Sequence, residues 1–260
     1  MRRPGSVLFK NSFVKPEDVD DSASSPIKVT CTLHRCGWSP GTLEYADPEV
    51  SQIRLGRDTV FATGHQNDIN HPNVLRLSIL RSSLEHAVSS LLYWLPRAIQ
   101  ALGISIAPRY FLPYRVVLKK SKPGWDKEFD IEKSMYEKLK DLQGSLIPRL
   151  FGEADCCGTR ALVLSEVHGV EPSEQKPPFL QPDEFQRRLE TSFRALAKKG
   201  LACGDLQLAN FLIVDDRLVI LDLEDVYKDT PDNIEYAIKT HAEHLKKQYE
   251  RHLEGISDDW

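Results

Sequence analysis

The sequence predicts an α+β fold, and three observations carry that expectation. Short runs of strand character recur at Ile27–Leu33, Gly41–Tyr45, Gln52–Leu55, Thr59–Ala62 and Val74–Leu80, parted by Gly, Pro and Asn-Asp turns. Longer stretches repeat apolar residues at helical spacing, at Ser83–Leu102, at Asp126–Leu142, from Pro182 to the stop at Gly200, and from Pro231 to about Leu253. Late in the chain, Phe211–Val214 and Arg217–Leu221 flank the turn Asp215-Asp216 and read as a hairpin.

Composition narrows the function classes. The chain has 260 residues, enough for one large domain or two small lobes with a real core. Its 34 basic and 38 acidic residues leave a net charge of −4, which gives no electrostatic case for nucleic acid or an anionic membrane as partner. The start, M-R-R-P-G-S, lacks the apolar core of a secretory signal. The most apolar long stretch, Leu84 to Leu102, is broken by Glu85, His86, Ser89, Ser90, Arg97 and Gln100, so no membrane span is expected. Five cysteines without regular spacing suit reduced thiols and an intracellular site, cytoplasmic or nuclear. Cys31, His34 and Cys36 lack a second zinc knuckle, because Cys156-Cys157 has the wrong spacing. Plain thiols are expected.

Taken in order, residues 1–26 are polar and proline-punctuated and read as a mobile leader. Residues 27–103 read as a β-rich extension ending in a packing helix, whose stripe includes Leu84, Val88, Leu91 and Leu95 and which Pro96 kinks or splits. Tyr114–Lys120 is an apolar, β-branched strand ending in Lys119 and Lys120. Neighbouring strand residues face opposite ways, so only one of these lysines can enter a cleft. In the helix that follows, Glu132 falls on the same stripe as Phe129, Met135, Tyr136 and Leu139. An acid on an apolar face is costly unless a cation meets it, and the lysine of the preceding strand is the obvious cation. Glu128 and Glu137 are the alternatives on other faces.

The stretch Gly200–Val226, G-L-A-C-G-D-L-Q-L-A-N-F-L-I-V-D-D-R-L-V-I-L-D-L-E-D-V, concentrates the chemistry. A hairpin over Phe211–Leu221 returns Asp222 to where the chain left Asn210, offering hard oxygen ligands for Mg²⁺. Asp205, upstream on the incoming loop, can act as a base or orienting group. His241 and His244 sit one turn apart on the last helix, but no third metal ligand is evident, and a satisfied or solvated pair is expected.

C-G-D-L-Q-L-A-N followed by L-D-L-E resembles the catalytic loop and metal-binding Asp of the protein-kinase-like fold. The nearest forms are the aminoglycoside/choline-kinase branch and small atypical kinases, including a fungal family of kinase-like domains. The likeness extends upstream to V-V-L-K at Val116–Lys119 and to Glu132, and covers about Ile104 to Val226. It departs at Cys203, where the family has His, and at Leu223-Glu224, where protein kinases have Phe-Gly.

The resemblance implies a two-lobed kinase-like fold with a minimal C-lobe, 104–168 forming the N-lobe and 169–260 the C-lobe. It implies Asp205 as catalytic base, Asn210 and Asp222 as metal ligands, Lys119 on nucleotide phosphates and Glu132 aiming Lys119. Glu166 and His168 fall at the hinge, whose backbone would meet adenine. The implied activity is ATP- and Mg²⁺-dependent phosphoryl transfer to a protein or small-molecule hydroxyl. The alternative is a weak or inactive kinase-shaped scaffold. Two further fragments upstream of Lys119 are read as coincidental: the glycines of Arg54–Gly64 are too far from it for a neighbouring hairpin, and N-H-P-N-V-L-R-L at Asn70–Leu77, which resembles a phrase that follows the C-helix of protein kinases, falls in the wrong order.

Overall fold

The computed structural model describes residues 50–66, 71–96 and 107–258. The leader, the two earliest strand-like runs, and Cys31, His34 and Cys36 lie outside the described residues, as does the end of the expected helix beyond residue 96.

Six strands close into a barrel: β1 (Val50–Leu55), β2 (Asp58–Gln66), β3 (Val74–Leu80), β4 (Arg115–Lys120), β5 (Leu150–Cys156) and β6 (Thr159–Ser165). All neighbours are antiparallel in the order β1-β2-β3-β4-β6-β5, and β1 pairs with β5 to close the ring. The boundary expected near residue 103 therefore does not divide the sheet. β3 pairs with β4 from Val74↔Lys119 to Ser78↔Arg115, so residues 50–80 are not a separate extension.

That register also corrects the reading of the upstream glycines. The β2–β3 hairpin is the direct neighbour of Lys119, and the Lys120 amide donates to the Asn73 carbonyl at its base. The Gly56-Arg57 turn between β1 and β2 sits at the opposite end of the barrel, beside the start of β4.

Alternation along β4 sorts its side chains between two cores. Val116 and Leu118 fill the barrel with Ile53, Leu77, Ile79 and Val163. Val117 faces the other way, toward a second core under the barrel. That core is built from α2 (Asp126–Lys138), α3 (Pro182–Ala197) and α4 (Pro231–Asp258), with the β7–β10 pair (Leu201–Cys203, Val226–Lys228) and the β8–β9 hairpin (Phe211–Val214, Arg217–Ile220). Proline opens α3 and α4 at the first helical position, and Gly200 at φ +70° lets the chain turn after α3. Phe185 and Tyr249 stack at 4.6 Å between α3 and α4. The buried Ser192 hydroxyl donates to the Leu218 carbonyl, tying α3 to β9.

The helix expected from Ser83 begins as foreseen, with a Ser82–Glu85 capping box, and α1 covers Ser83–Tyr93. Its apolar stripe is not core: Leu84 is 75% exposed and Leu91 71%. No helix among the described residues is long and apolar enough to cross a membrane.

Of the described glycines, Gly64 has the least room for a Cβ. A Cβ there would lie 2.1 Å from the Arg76 carbonyl oxygen across the β2–β3 pair, a contact with main chain that cannot rotate away. Gly158, at φ +80°, has open space around it. Gly64→Ala should therefore lower stability by about 1–3 kcal/mol or more through forced displacement of the strand, and should cost more than Gly158→Ala, which meets only backbone strain of roughly 1–2 kcal/mol. Urea unfolding of both variants measures this, and equal costs would contradict the packing described.

Candidate active site

Lys119, the penultimate residue of β4, lies on the face away from the barrel interior, and its side chain is only 9% exposed. Three carboxylates surround its ammonium. Glu132 Oε1, from the second turn of α2, is 2.9 Å away; Asp222 Oδ1 is 3.0 Å away; Glu224 Oε1 is 3.1 Å away. Glu132 is 1% exposed among Phe129, Met135 and Tyr136, so α2 can bury this face only because the ammonium meets its acid. Neither Glu128 nor Glu137 forms an ion pair with Lys119. Lys120 points to the other face of the strand and makes no ion pair among the described residues.

Register along the hairpin delivers Asp222. Phe211 pairs with Ile220, and one step further the Leu221 amide donates to the Asn210 carbonyl, so the two expected metal-ligand residues meet through the backbone. The Asp222 carboxylate also accepts from the Glu224 amide at 2.9 Å, a local turn that folds Glu224 back toward Lys119. Leu223 is fully buried in the lower core and anchors the turn between them.

Glu132, Asp222 and Glu224 present ligand atoms within 4.8 Å of one another. The carboxylates gathered in space therefore differ from the set expected, which paired Asp222 with Asn210. Asn210 contributes a side-chain nitrogen that is buried without a hydrogen-bond partner, so its amide is not committed to the protein. Carboxylate and amide oxygens are the ligands Mg²⁺ takes, and the donor types present fit that ion.

Three carboxylates around one ammonium set the electrostatics. Burial opposes charge on Lys119, yet the three anions outweigh it and hold the ammonium above its ordinary range. Burial pushes the Glu132 carboxyl up to about 7, with Asp222 and Glu224 adding to the rise against the pull of Lys119.

Asp205 lies on the loop after β7 and forms no ion pair among the described residues. Two side chains of α4 grip that loop on either side of it. His241 Nδ1 is 3.0 Å from the Cys203 carbonyl, and Gln248 donates to the Leu206 carbonyl at 2.9 Å. Gly204 supports the same loop through its amide, which donates to the Asp225 carbonyl. Cys203 is buried, and burial next to Asp205, Asp225 and Asp222 pushes its thiol up to about 12, so it is an inert thiol. His241 is thus engaged by the backbone of the loop. Its grip on the loop, with that of Gln248, was not foreseen, since the 3.6-residue pattern of α4 marks a buried face without naming what it meets.

Glu166 and His168 lie at the other end of the barrel. They line an open concavity of about 590 Å³ together with Tyr114, Arg115, Arg149 and Phe151. Glu166 Oε2 is buried without a hydrogen-bond partner and stands 4.0 Å from His168 Nε2. Lys119 does not line this concavity. Arg115, which does, begins β4 four residues earlier, about 13 Å away at about 3.3 Å per residue.

No protein-family model and no curated protein matches the chain. Among solved structures, a mutant of the PknI kinase domain of Mycobacterium tuberculosis is similar at 17% identity, over 52% of this chain and 64% of that domain, with a TM-score of 0.39. The chain thus spans under two thirds of that domain, and a likeness of this size assigns neither fold nor activity.

The Glu132 carboxyl holds its proton more tightly folded, at about 7, than at its ordinary value of 4.5. The stability this contributes is complete below about 4.5 and is lost as pH rises through about 7. Glutamine imitates the protonated acid at every pH. The stability of wild type minus that of Glu132→Gln should therefore fall as pH climbs across that window and level off above it. Thermal unfolding over pH 4 to 9 reads this directly, and a difference that rises with pH would contradict the burial argument.

Proposed function

We propose that the protein is an ATP- and Mg²⁺-dependent phosphotransferase with a kinase-like, two-lobed fold, transferring a phosphoryl group to a hydroxyl of a protein or small molecule. One observation carries the reading. A buried ammonium, Lys119, is shared between an acid on the following helix, Glu132, and an acid beside the Asn210 segment, Asp222. An inward strand lysine steadied by a helix carboxylate and facing an aspartate is an arrangement suited to nucleotide phosphates.

In this reading Lys119 meets the phosphates and Glu132 aims it. Asp222 and Asn210 hold Mg²⁺, which neutralises phosphate charge when bound. Asp205 accepts the proton of the attacking hydroxyl, on a loop steadied by His241 and Gln248. Glu166 and His168 offer hinge backbone groups to adenine, about one strand length from Lys119. The implied partners are a nucleotide and a hydroxyl acceptor, in an intracellular compartment.

A second reading, a kinase-shaped scaffold without turnover, is favoured by two features: Glu224 stands against Lys119, and Cys203 replaces the loop histidine. Melting with MgATP, followed by ATP consumption, separates the two. MgATP at about 100 times its Kd should add about 2.7 kcal/mol of stability. Wild type should consume ATP, and Asp205→Asn should keep the stabilisation while losing at least about tenfold in turnover. Stabilisation without wild-type turnover selects the scaffold. No stabilisation removes nucleotide binding from both readings.

A further inference from the structure

Glu224 does more than crowd Lys119. Its two oxygens are divided between two cations: Oε1 is 3.1 Å from Lys119 Nζ, and Oε2 is 3.2 Å from Lys122 Nζ. Lys122 lies on the loop leaving β4, 38% exposed, with its ammonium 4.8 Å over the Trp125 ring. One carboxylate therefore bridges a buried ammonium and a half-exposed one. Two ammoniums face three carboxylates here, and Glu224 alone touches both cations.

An anion bridging two ammonium groups through separate oxygens is the arrangement in which a phosphate would sit. Lysine binds phosphate as a point charge and needs no fixed fork geometry, so exchanging a carboxylate for a phosphate asks little rearrangement of either side chain. The bridging carboxylate is also the easiest of the three to move. Glu132 is walled in by the α2 core and the Asp222 carboxylate accepts from the Glu224 amide, whereas among the described residues the Glu224 carboxylate meets only the two ammoniums. A swing of the Glu224 side chain frees Lys122 and opens one side of Lys119, which keeps Glu132 and Asp222, and it leaves the bond between the Glu224 amide and Asp222 intact.

Residues 67–73, between β2 and β3, read N-D-I-N-H-P-N and contain no glycine, so the described charge that can meet a phosphate beside Lys119 is that of Lys122.

We propose that Lys119 and Lys122 form a two-cation polyphosphate site, and that Glu224 is its built-in occupant, displaced when the phosphate chain arrives. The proposal rests on the nucleotide reading above for the identity of the natural ligand. Its geometry applies equally to a polyphosphate without a base. Lys122 supplies the second positive charge beside Lys119, and Glu224 sets a threshold that a weak anion such as acetate does not cross.

The test is titration calorimetry of the full chain with inorganic tripolyphosphate and, separately, with MgATP. The variants are Lys122→Met, Lys122→Arg, Lys120→Met and Glu224→Gln, each checked for folding by its melting temperature. Removing one cation from a polyanion site should weaken tripolyphosphate binding about tenfold in Lys122→Met, and removing the competing charge should tighten it about tenfold in Glu224→Gln. Lys122→Arg should restore binding, and Lys120→Met should match wild type.

If Lys122→Met binds both ligands like wild type, the two-cation site is overturned while the nucleotide reading survives. If MgATP fails to bind but tripolyphosphate binds with the expected dependence on Lys122 and Glu224, the site stands and the nucleotide reading falls. If neither ligand binds wild type, both fall. Because Lys122 and Glu224 lie at the edge of the cluster, both variants should fold. Should Glu224→Gln not fold, the Lys122 pair of variants alone decides the outcome.

Discussion

A single ammonium in an apolar setting constrains most of this structure. Lys119 cannot keep its charge where β4 meets the lower core unless anions come to it, and unpaired burial of such a charge costs several kcal/mol. The anions arrive from separate parts of the chain: Glu132 on α2, and Asp222 and Glu224 after β9. Their convergence fixes the rotation of α2 under the barrel and the exit of the β8–β9 hairpin together. It also joins the barrel half to the helical half by charge at a point where apolar packing alone would allow sliding.

The helical half does the complementary work of holding a loop still. Asp205 has no ion pair of its own among the described residues, so its position depends on the backbone around it. α4 fixes that backbone at Cys203 and Leu206 through His241 and Gln248, which are seven residues apart on the helix, two turns and hence one face. The Gly204 amide, bonded to Asp225, ties the same loop to the strand pair β7–β10. The loop after the small buried Cys203 is thus anchored from outside, by His241 and Gln248 of α4.

The sequence made the centre of this site legible because its signals were local. A strand of alternating character offers only one inward lysine, and one acid on an apolar helix face asks for one cation, so Lys119 and Glu132 were readable as a pair. The hairpin around Asp215-Asp216 fixed the return of Asp222 to Asn210 by register. What stayed hidden was long-range. No local pattern says that β1 will pair with β5 about a hundred residues later, so the strands before residue 80 read as an addition to the sheet when they are half of its barrel. Glu224 read as a departure from a motif, because a charge on a loop carries no periodicity to give its direction away. The stripe of α1 shows the converse limit: helical spacing identifies an apolar face, yet Leu84 and Leu91 on it stay exposed.

The most direct test of the central claim is a double-mutant cycle between Lys119→Met and Asp222→Asn, read by equilibrium urea unfolding at neutral pH. If the ammonium holds the barrel half to the segment after β9, the two substitutions are strongly non-additive, with a coupling of about 1–3 kcal/mol. Strict additivity would mean that Lys119 and Asp222 do not share a charge in the folded protein, and the site built on them would be lost.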